Sequence, residues 1–348
     1  MSPWLVTMSA HKSVTHGTRE GVADDYSTYD QSVEIVGCWH SWFSDIDEAA
    51  FDHFPTITIN GRECTPDFLV SFAKGYCLIG ELCRLSMNDD GLKDSVLQAL
   101  GYADFASQTD VMMLVPHDYA DQAERRMLDA GLLHADAEDE PLVVLSYVRV
   151  DADRVTRWVF KRPSPIRAFS FRDAFLGARS LHEKMTVTLE GLKVPPKFWR
   201  NMKIRYPFCN DAPPPLYTAC VLWEKVFSAM LSDADYVNAR VKRLPHIRLT
   251  VTPTSVREAL REQLDIEVKV AWLRDALELL ARARLAEQPK KSADDFVIKY
   301  GKITVPGSGH SETHELILDR LFGATSSGGN AVPQVEQDQL FPDPPALN

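Results

Sequence analysis

Cysteine is scarce and poorly spaced for holding metal. The six, at positions 38, 64, 77, 83, 209 and 220, include no Cys-x-x-Cys pair, so neither a zinc ribbon nor a disulfide framework is expected. Long apolar runs are missing too. No stretch approaches the roughly 20 residues that span a bilayer. Met1 to His11 also lacks the charged start and apolar block of an export signal. The expectation is a cytoplasmic chain with no membrane partner. Positive charge is in deficit: 38 Lys and Arg stand against 49 Asp and Glu, a net charge of −11, which disfavours nonspecific adhesion of the whole chain to nucleic acid.

What is present suffices for two cores, because 348 residues with 45% apolar content exceed one typical domain. Charge is also unevenly spread. Between Arg154 and Tyr206 thirteen Lys and Arg face three Asp and Glu, interleaved with Trp158, Phe160, Phe169, Phe171, Phe175, Phe198, Trp199 and Tyr206. Such a stretch can track a phosphate backbone through counterion release. A buried aromatic core with a solvated cationic face would have the same composition.

The chemistry concentrates between residues 54 and 106. Thr56-Ile57-Thr58-Ile59 alternates, Asn60-Gly61 is a hairpin turn signal, and Glu63 to Phe72 resumes as a second strand. Ala73-Lys74-Gly75 then turns the chain into a third strand, Tyr76 to Leu85. Side chains two apart on a strand share a face, so Glu81 and Cys83 point one way and Leu82 and Arg84 the other. Asp67, on the neighbouring strand, can meet Glu81 and the Leu82 carbonyl around one hard cation, Mg²⁺ or Mn²⁺. Taken singly, Asp67 is an ordinary strand-end turn residue and Glu81 an ordinary strand carboxylate. Glu81, however, interrupts an apolar strand, where an unpaired carboxylate is costly to bury. A Lys two residues after that carboxylate would complete a nuclease site, and Cys83 stands there instead.

Downstream, Asp94 to Ala106 has helical spacing and carries Asp94, Gln98 and Tyr102 on one stripe. Lys93 is a candidate migrated amine or DNA contact, although it lies about 140° around the helix from Gln98 and reads equally as a solvated first-turn Lys. Asp110 to Pro116 reads as a buried strand, Tyr119 to Ala130 as a returning helix, and Leu142 to Val150 as a further strand.

The carboxylates on adjacent strands, together with Gln98-x-x-x-Tyr102, resemble the PD-(D/E)XK nucleases. Upstream words narrow the likeness. Ser32-Val33-Glu34-Ile35, Asp45-Ile46-Asp47, His53-Phe54-Pro55 and Thr65-Pro66-Asp67-Phe68-Leu69-Val70 resemble the N-terminal half of TnsA-type endonuclease subunits of heteromeric transposases. The resemblance covers roughly residues 30 to 150. It implies Glu34, Asp67 and Glu81 as acidic site members, Mg²⁺ as cofactor, double-stranded DNA as substrate, and TnsB-like transposase and TnsC-like AAA+ ATPase subunits as partners. It also implies that Cys83 replaces the family's catalytic Lys. That departure bears on hydrolysis, since a thiol cannot orient the attacking water or offset phosphate charge as an ammonium does.

Pro213-Pro214-Pro215 marks a boundary. Beyond it, Leu216 to Met230 reads as a helix, Ile247 to Val251 as a strand, and Ser255-x-x-Glu258 as a capping-box helix start. Ile266 to Ala283 reads as a third helix and Phe296 to Ile303 as a returning strand. This order suits a winged helix, with Arg274 and Arg282 as candidate DNA contacts; the same fold also docks proteins. From about Gly323 the composition predicts a disordered tail. Within it, Gln337-Asp338-Gln339-Leu340-Phe341 resembles the peptide by which bacterial proteins bind the replicative sliding clamp, with Leu340 and Phe341 as apolar anchors and Gln337 fixing register.

The expected fold class is α/β: a restriction-endonuclease-like mixed-sheet core, a winged-helix domain and a disordered tail. The expected divisions are an extension at 1–29, a nuclease-like domain at 30–153, a basic connector at 154–212, a winged helix at 213–305 and a C-terminal segment at 306–348. The expected activity is metal-dependent cleavage of DNA at transposon ends in concert with a transposase. A non-catalytic DNA-binding adaptor and a stand-alone defence nuclease are the rivals.

Overall fold

The computed structural model describes residues 17–43, 49–72, 75–83, 97–99, 101–102, 104–106, 108–129, 142–152, 155–161, 192–194, 208, 212–264, 266–289, 294–306 and 308–324. The chain divides into two compact units, one of residues 28–212 and the other of residues 1–27 with 213–348. Helix α1, Arg19–Phe43, begins in the second unit and continues into the first. Among the described residues no helix is long and apolar enough to cross a membrane.

The first unit is built on a mixed sheet. Its strands are β1 (Ala49–His53), β4 (Phe68–Phe72), β5 (Tyr76–Leu82), β6 (Gln108–Pro116), β7 (Leu142–Ala152), β8 (Val155–Lys161) and β9 (Leu192–Val194), adjacent in that order. The β1/β4 and β4/β5 pairs are antiparallel, β5/β6 and β6/β7 parallel, and β7/β8 and β8/β9 antiparallel. Helix α2, His117–Asp129, makes the crossover from β6 to β7, and residues 97–99 and 101–102 are helical on the way from β5 to β6. A separate hairpin of β2 (Ile57–Ile59) and β3 (Arg62–Cys64) turns at Asn60-Gly61. Both turn residues have positive φ, 50° and 77°, as a two-residue hairpin of this twist requires.

The sheet is buried on both faces, as parallel strands demand. On one face Ile35, Val36, Trp39 and Phe43 of α1 pack on Phe68, Val70, Leu78, Leu114, Trp158 and Phe160. On the other, Ala99, Tyr102, Ala120 and Ala123 pack on Leu69, Ile79, Cys83, Val111 and Met113. Three features differ from the sequence expectation. The span 63–72 is two strands rather than one, because Pro66 has no N–H for a ladder and Thr65 to Asp67 leave the strand conformation. Strand β1 joins the sheet edge. The expected connector contributes β8 and β9 to the sheet.

In the second unit α3 (Pro215–Val221) runs into a π-helical turn, Leu222–Val226, and is buried all round from Leu216 to Trp223. Then come α4 (Asp233–Val241), β10 (Ile247–Val251), α5 (Pro253–Leu264), α6 (Val270–Arg282), β11 (Ala286–Glu287), β12 (Phe296–Tyr300) and α7 (Thr313–Phe322). The three strands form an antiparallel sheet in the order β10-β12-β11. Helix α5 starts three residues before the expected capping box. Thr252 and Ser255 exchange backbone-to-hydroxyl bonds of 2.9 and 3.0 Å, and Pro253 supplies the preset φ that suits a first helical position.

Candidate active site at the end of the central strands

Asp67 precedes β4, and Glu81 is the sixth residue of β5. The register pairs Phe68 with Gly80 and Leu69 with Ile79 and ends there, and Asp67, just outside β4, reaches β5 through its carboxylate, which accepts the amide N–H of Leu82 next to Glu81. Directly opposed residues of an antiparallel pair share a face. Gly80 marks the other face: a Cβ there would stand 2.0 Å from the Phe68 ring, so glycine alone lets that ring lie across β5. Asp67, Leu69, Ile79, Glu81 and Cys83 are thereby turned towards the layer that holds Tyr102.

Two bonds hold Asp67. Its Oδ2 accepts the Leu82 amide N–H at 2.7 Å, and its backbone carbonyl accepts the Phe54 N–H at 3.2 Å. The second bond joins the Phe54-Pro55 word to the Thr65-Pro66-Asp67 word, with Phe54 at a φ of 47° that a bulky residue seldom adopts. Leu82 thus meets Asp67 through its amide, which leaves its carbonyl, the expected metal ligand, a separate group.

Glu81 is 9% exposed. Its charge bears on Tyr102, whose hydroxyl pKa is pushed well up by burial first, then by Glu81 and more weakly by Asp67; the bond from Gln98 opposes the rise. Gln98 Nε2 donates to the Tyr102 hydroxyl at 2.6 Å. Cys64, at the end of β3, is also pushed up, by burial first and in part by Glu81, with Arg62 opposing. The structure therefore gathers Asp67, Glu81, Gln98 and Tyr102 at one strand end, with Cys64 at the margin.

Glu34 is placed differently. It lies on α1, 1% exposed, and accepts the Trp158 indole N–H at 3.0 Å. Its neighbours Ile35 and Val36, and Trp158 itself, belong to the α1-side core. Glu34 therefore stands in the layer across the sheet from the one that Asp67 and Glu81 face, which corrects its expected place beside them. It is tied to the strand end through aromatics: Trp158 meets Tyr147 edge to face, and the Tyr147 hydroxyl donates to the Cys83 carbonyl at 2.7 Å. The sequence placed Trp158 only in the basic aromatic stretch and gave no sign of either bond, because the partners lie 124 and 64 residues away.

Cys83 is 1% exposed among Ile79, Ala99 and Tyr102. An apolar buried thiol of this kind fills space and is not set up as a nucleophile. Lys93 lies outside the described residues, as do Gln337, Leu340 and Phe341. Arg274 pairs with Asp294 at 2.9 Å, and exposed Arg282 shares α6 with exposed Glu278. The exposed side of α6 is of mixed sign, unlike the basic surface expected of a helix that reads DNA. His310, Glu315 and Asp319 lie close enough together to share a cation, but the Arg19 guanidinium already occupies the two carboxylates at 2.7 and 2.8 Å.

No family model, curated protein or solved structure matches the chain.

Proposed function

We propose that this protein is a TnsA-like endonuclease subunit that cuts DNA at the ends of a mobile element, in concert with a TnsB-like transposase and a TnsC-like AAA+ ATPase. The Asp67 carboxylate on the Leu82 amide next to Glu81, with both acidic groups bearing on the Tyr102 hydroxyl that Gln98 bonds, carries the reading. The element order agrees with it. A helix, an antiparallel meander of β1, β4 and β5, and a helical crossover to parallel β6 support reading the first unit as a restriction-endonuclease-like core. The second unit's order of α3, β10, α5, α6, β11 and β12, with a β10-β12-β11 sheet, supports reading it as a winged helix.

Both carboxylates suit a hard divalent cation, as oxygen ligands from adjacent strands, one of them buried in an otherwise apolar strand. Mg²⁺ held there would polarise a phosphoryl oxygen and lower the pKa of a bound water. The chain's own contribution is positional. The Leu82 amide fixes one Asp67 oxygen, and Gln98 fixes the Tyr102 hydroxyl, a donor for Glu81 or for a phosphate. The basic stretch 154–212 supplies phosphate contacts to double-stranded DNA. Gln337, Leu340 and Phe341 offer a sliding clamp its peptide.

One observation favours a second reading, a DNA-binding adaptor that has lost cleavage. Cys83 is an apolar, buried thiol, so no ammonium stands two residues from Glu81. Supercoiled DNA bearing transposon ends, incubated with Mg²⁺ or Mn²⁺ and the partner subunits, separates the readings. Nicking that Asp67→Ala reduces at least 100-fold supports the endonuclease. Binding without nicking, followed by a gain of nicking in Cys83→Lys, supports the adaptor. Full activity without partners points to a stand-alone nuclease. Nicking that Asp67→Ala leaves unchanged rejects the site.

A further inference from the structure

The end of α4 carries an exposed surface that the proposed activity does not use. Val237 and Val241, one helical turn apart, are 61% and 76% exposed, and Leu244 in the following turn is 39% exposed. Arg240, Lys242 and Arg243 are exposed among them. None of the three forms a side-chain ion pair among the described residues. Elsewhere in the unit Arg248 pairs with Glu287, Arg274 with Asp294 and Lys299 with Glu287. Cations at a helix C-terminus offset its dipole, which explains Arg240 and Lys242 alone. It does not explain two valines standing in water on the same turns.

A surface that is apolar along one line and cationic beside it selects a segment that is apolar and acidic. Such a segment lies in the same chain. From Leu321 to Asn348 there is no Lys or Arg; Glu336, Asp338 and Asp343 are its only charged side chains, and they flank Val335, Leu340 and Phe341. Leu340 lies 16 residues beyond Ala324, and a flexible chain of that length spans about 22 Å root-mean-square. At that length the segment meets its own unit at an effective concentration of about a millimolar, so modest intrinsic affinity suffices.

We infer that residues 335–343 dock on the Val237–Leu244 surface of their own unit, with Val335, Leu340 and Phe341 covering Val237, Val241 and Leu244, and Glu336 and Asp338 facing Arg240, Lys242 and Arg243. A docked segment withholds Leu340 and Phe341 from other apolar pockets. That consequence for a sliding clamp rests on the reading above; the docking itself does not.

Hydrogen exchange of the 237–244 amides in the full chain tests this. Leu340→Asp/Phe341→Asp should speed exchange there about 2- to 10-fold, the protection a tethered millimolar contact confers. Lys242→Glu/Arg243→Glu should do the same, and adding Glu336→Lys/Asp338→Lys to that variant should restore slow exchange. Equal exchange in wild type and the tail variant overturns the inference. So does protection that grows with protein concentration, which would assign the surface to a second copy. Protection that appears only when duplex DNA is added, with the tail variant silent, also overturns it.

Discussion

At the scale of single residues, His53 ties pH to the integrity of the strand edge. Its Nε2 lies 3.1 Å from His40 Nδ1, with Phe51 against both rings. Burial first, and then His40, pushes its pKa from 6.5 down to about 3; burial lowers His40 as well. A folded-state value below the unfolded one means that the unfolded chain binds the extra proton between those two pH values. Stability from His53 is therefore complete above about pH 6.5 and is lost progressively as pH falls towards 3, by up to about 1.4 kcal/mol per pH unit. Chemical denaturation of wild type and His53→Gln at a series of pH values from 7 to 4 should show a smaller slope in the variant. Equal slopes would remove His53 from the account. Nothing in the sequence pointed to this pair. The candidates that were legible, Asp67 and Glu81, were so because strand alternation is a local rule. The Trp158 bond to Glu34 joins residues 124 apart, and no local rule reaches that far.

At the scale of elements, the site depends on how β4 lies on β5, and that depends on Gly80. The Phe68 ring is fully buried and crosses β5 where any side chain would stand. Gly80→Ala must displace the ring or separate the strands, and overpacking of this kind costs about 1–3 kcal/mol. Because Asp67 adjoins Phe68 and Glu81 adjoins Gly80, cleavage or metal binding should fall more than the stability loss alone explains. Urea denaturation beside a metal-binding titration of the same variant checks both. A variant with normal stability would show that the strands tolerate the methyl group. The turn at Asn60-Gly61 and the strands around Glu81 follow from alternation and turn chemistry, so the sequence sufficed for them. Strand β1 did not announce itself, since Ala49-Ala50-Phe51-Asp52-His53 has weak strand propensity and owes its form to pairing with β4. The start of α5 was misplaced because a Ser-x-x-Glu word lay three residues inside a helix that Thr252 and Pro253 begin.

At the scale of the whole molecule, the sequence divided the chain too simply. Residues 1–29 read as an extension, whereas the first turns of α1 belong with the C-terminal unit. Arg19 donates a hydrogen bond to Glu315 at 2.7 Å and forms an ion pair with Asp319 at 2.8 Å, and Tyr26 stacks on His314 with ring centroids 4.5 Å apart. The link is invisible in the sequence, since it joins positions almost 300 residues apart through two ion pairs and a ring stack. Its energetic weight follows from burial: the Asp319 side chain is 0% exposed and that of Arg19 14%. Removing one member of such a pair leaves an uncompensated charge and costs about 3–5 kcal/mol, whereas replacing both by apolar groups can be nearly neutral. Arg19→Met alone should lower the unfolding free energy of the C-terminal unit by that amount, and Arg19→Met/Asp319→Leu should recover most of it. If the single variant unfolds at the wild-type denaturant midpoint, Arg19 does not hold the two ends of the chain together, and the first turns of α1 are no part of the unit that follows Pro213.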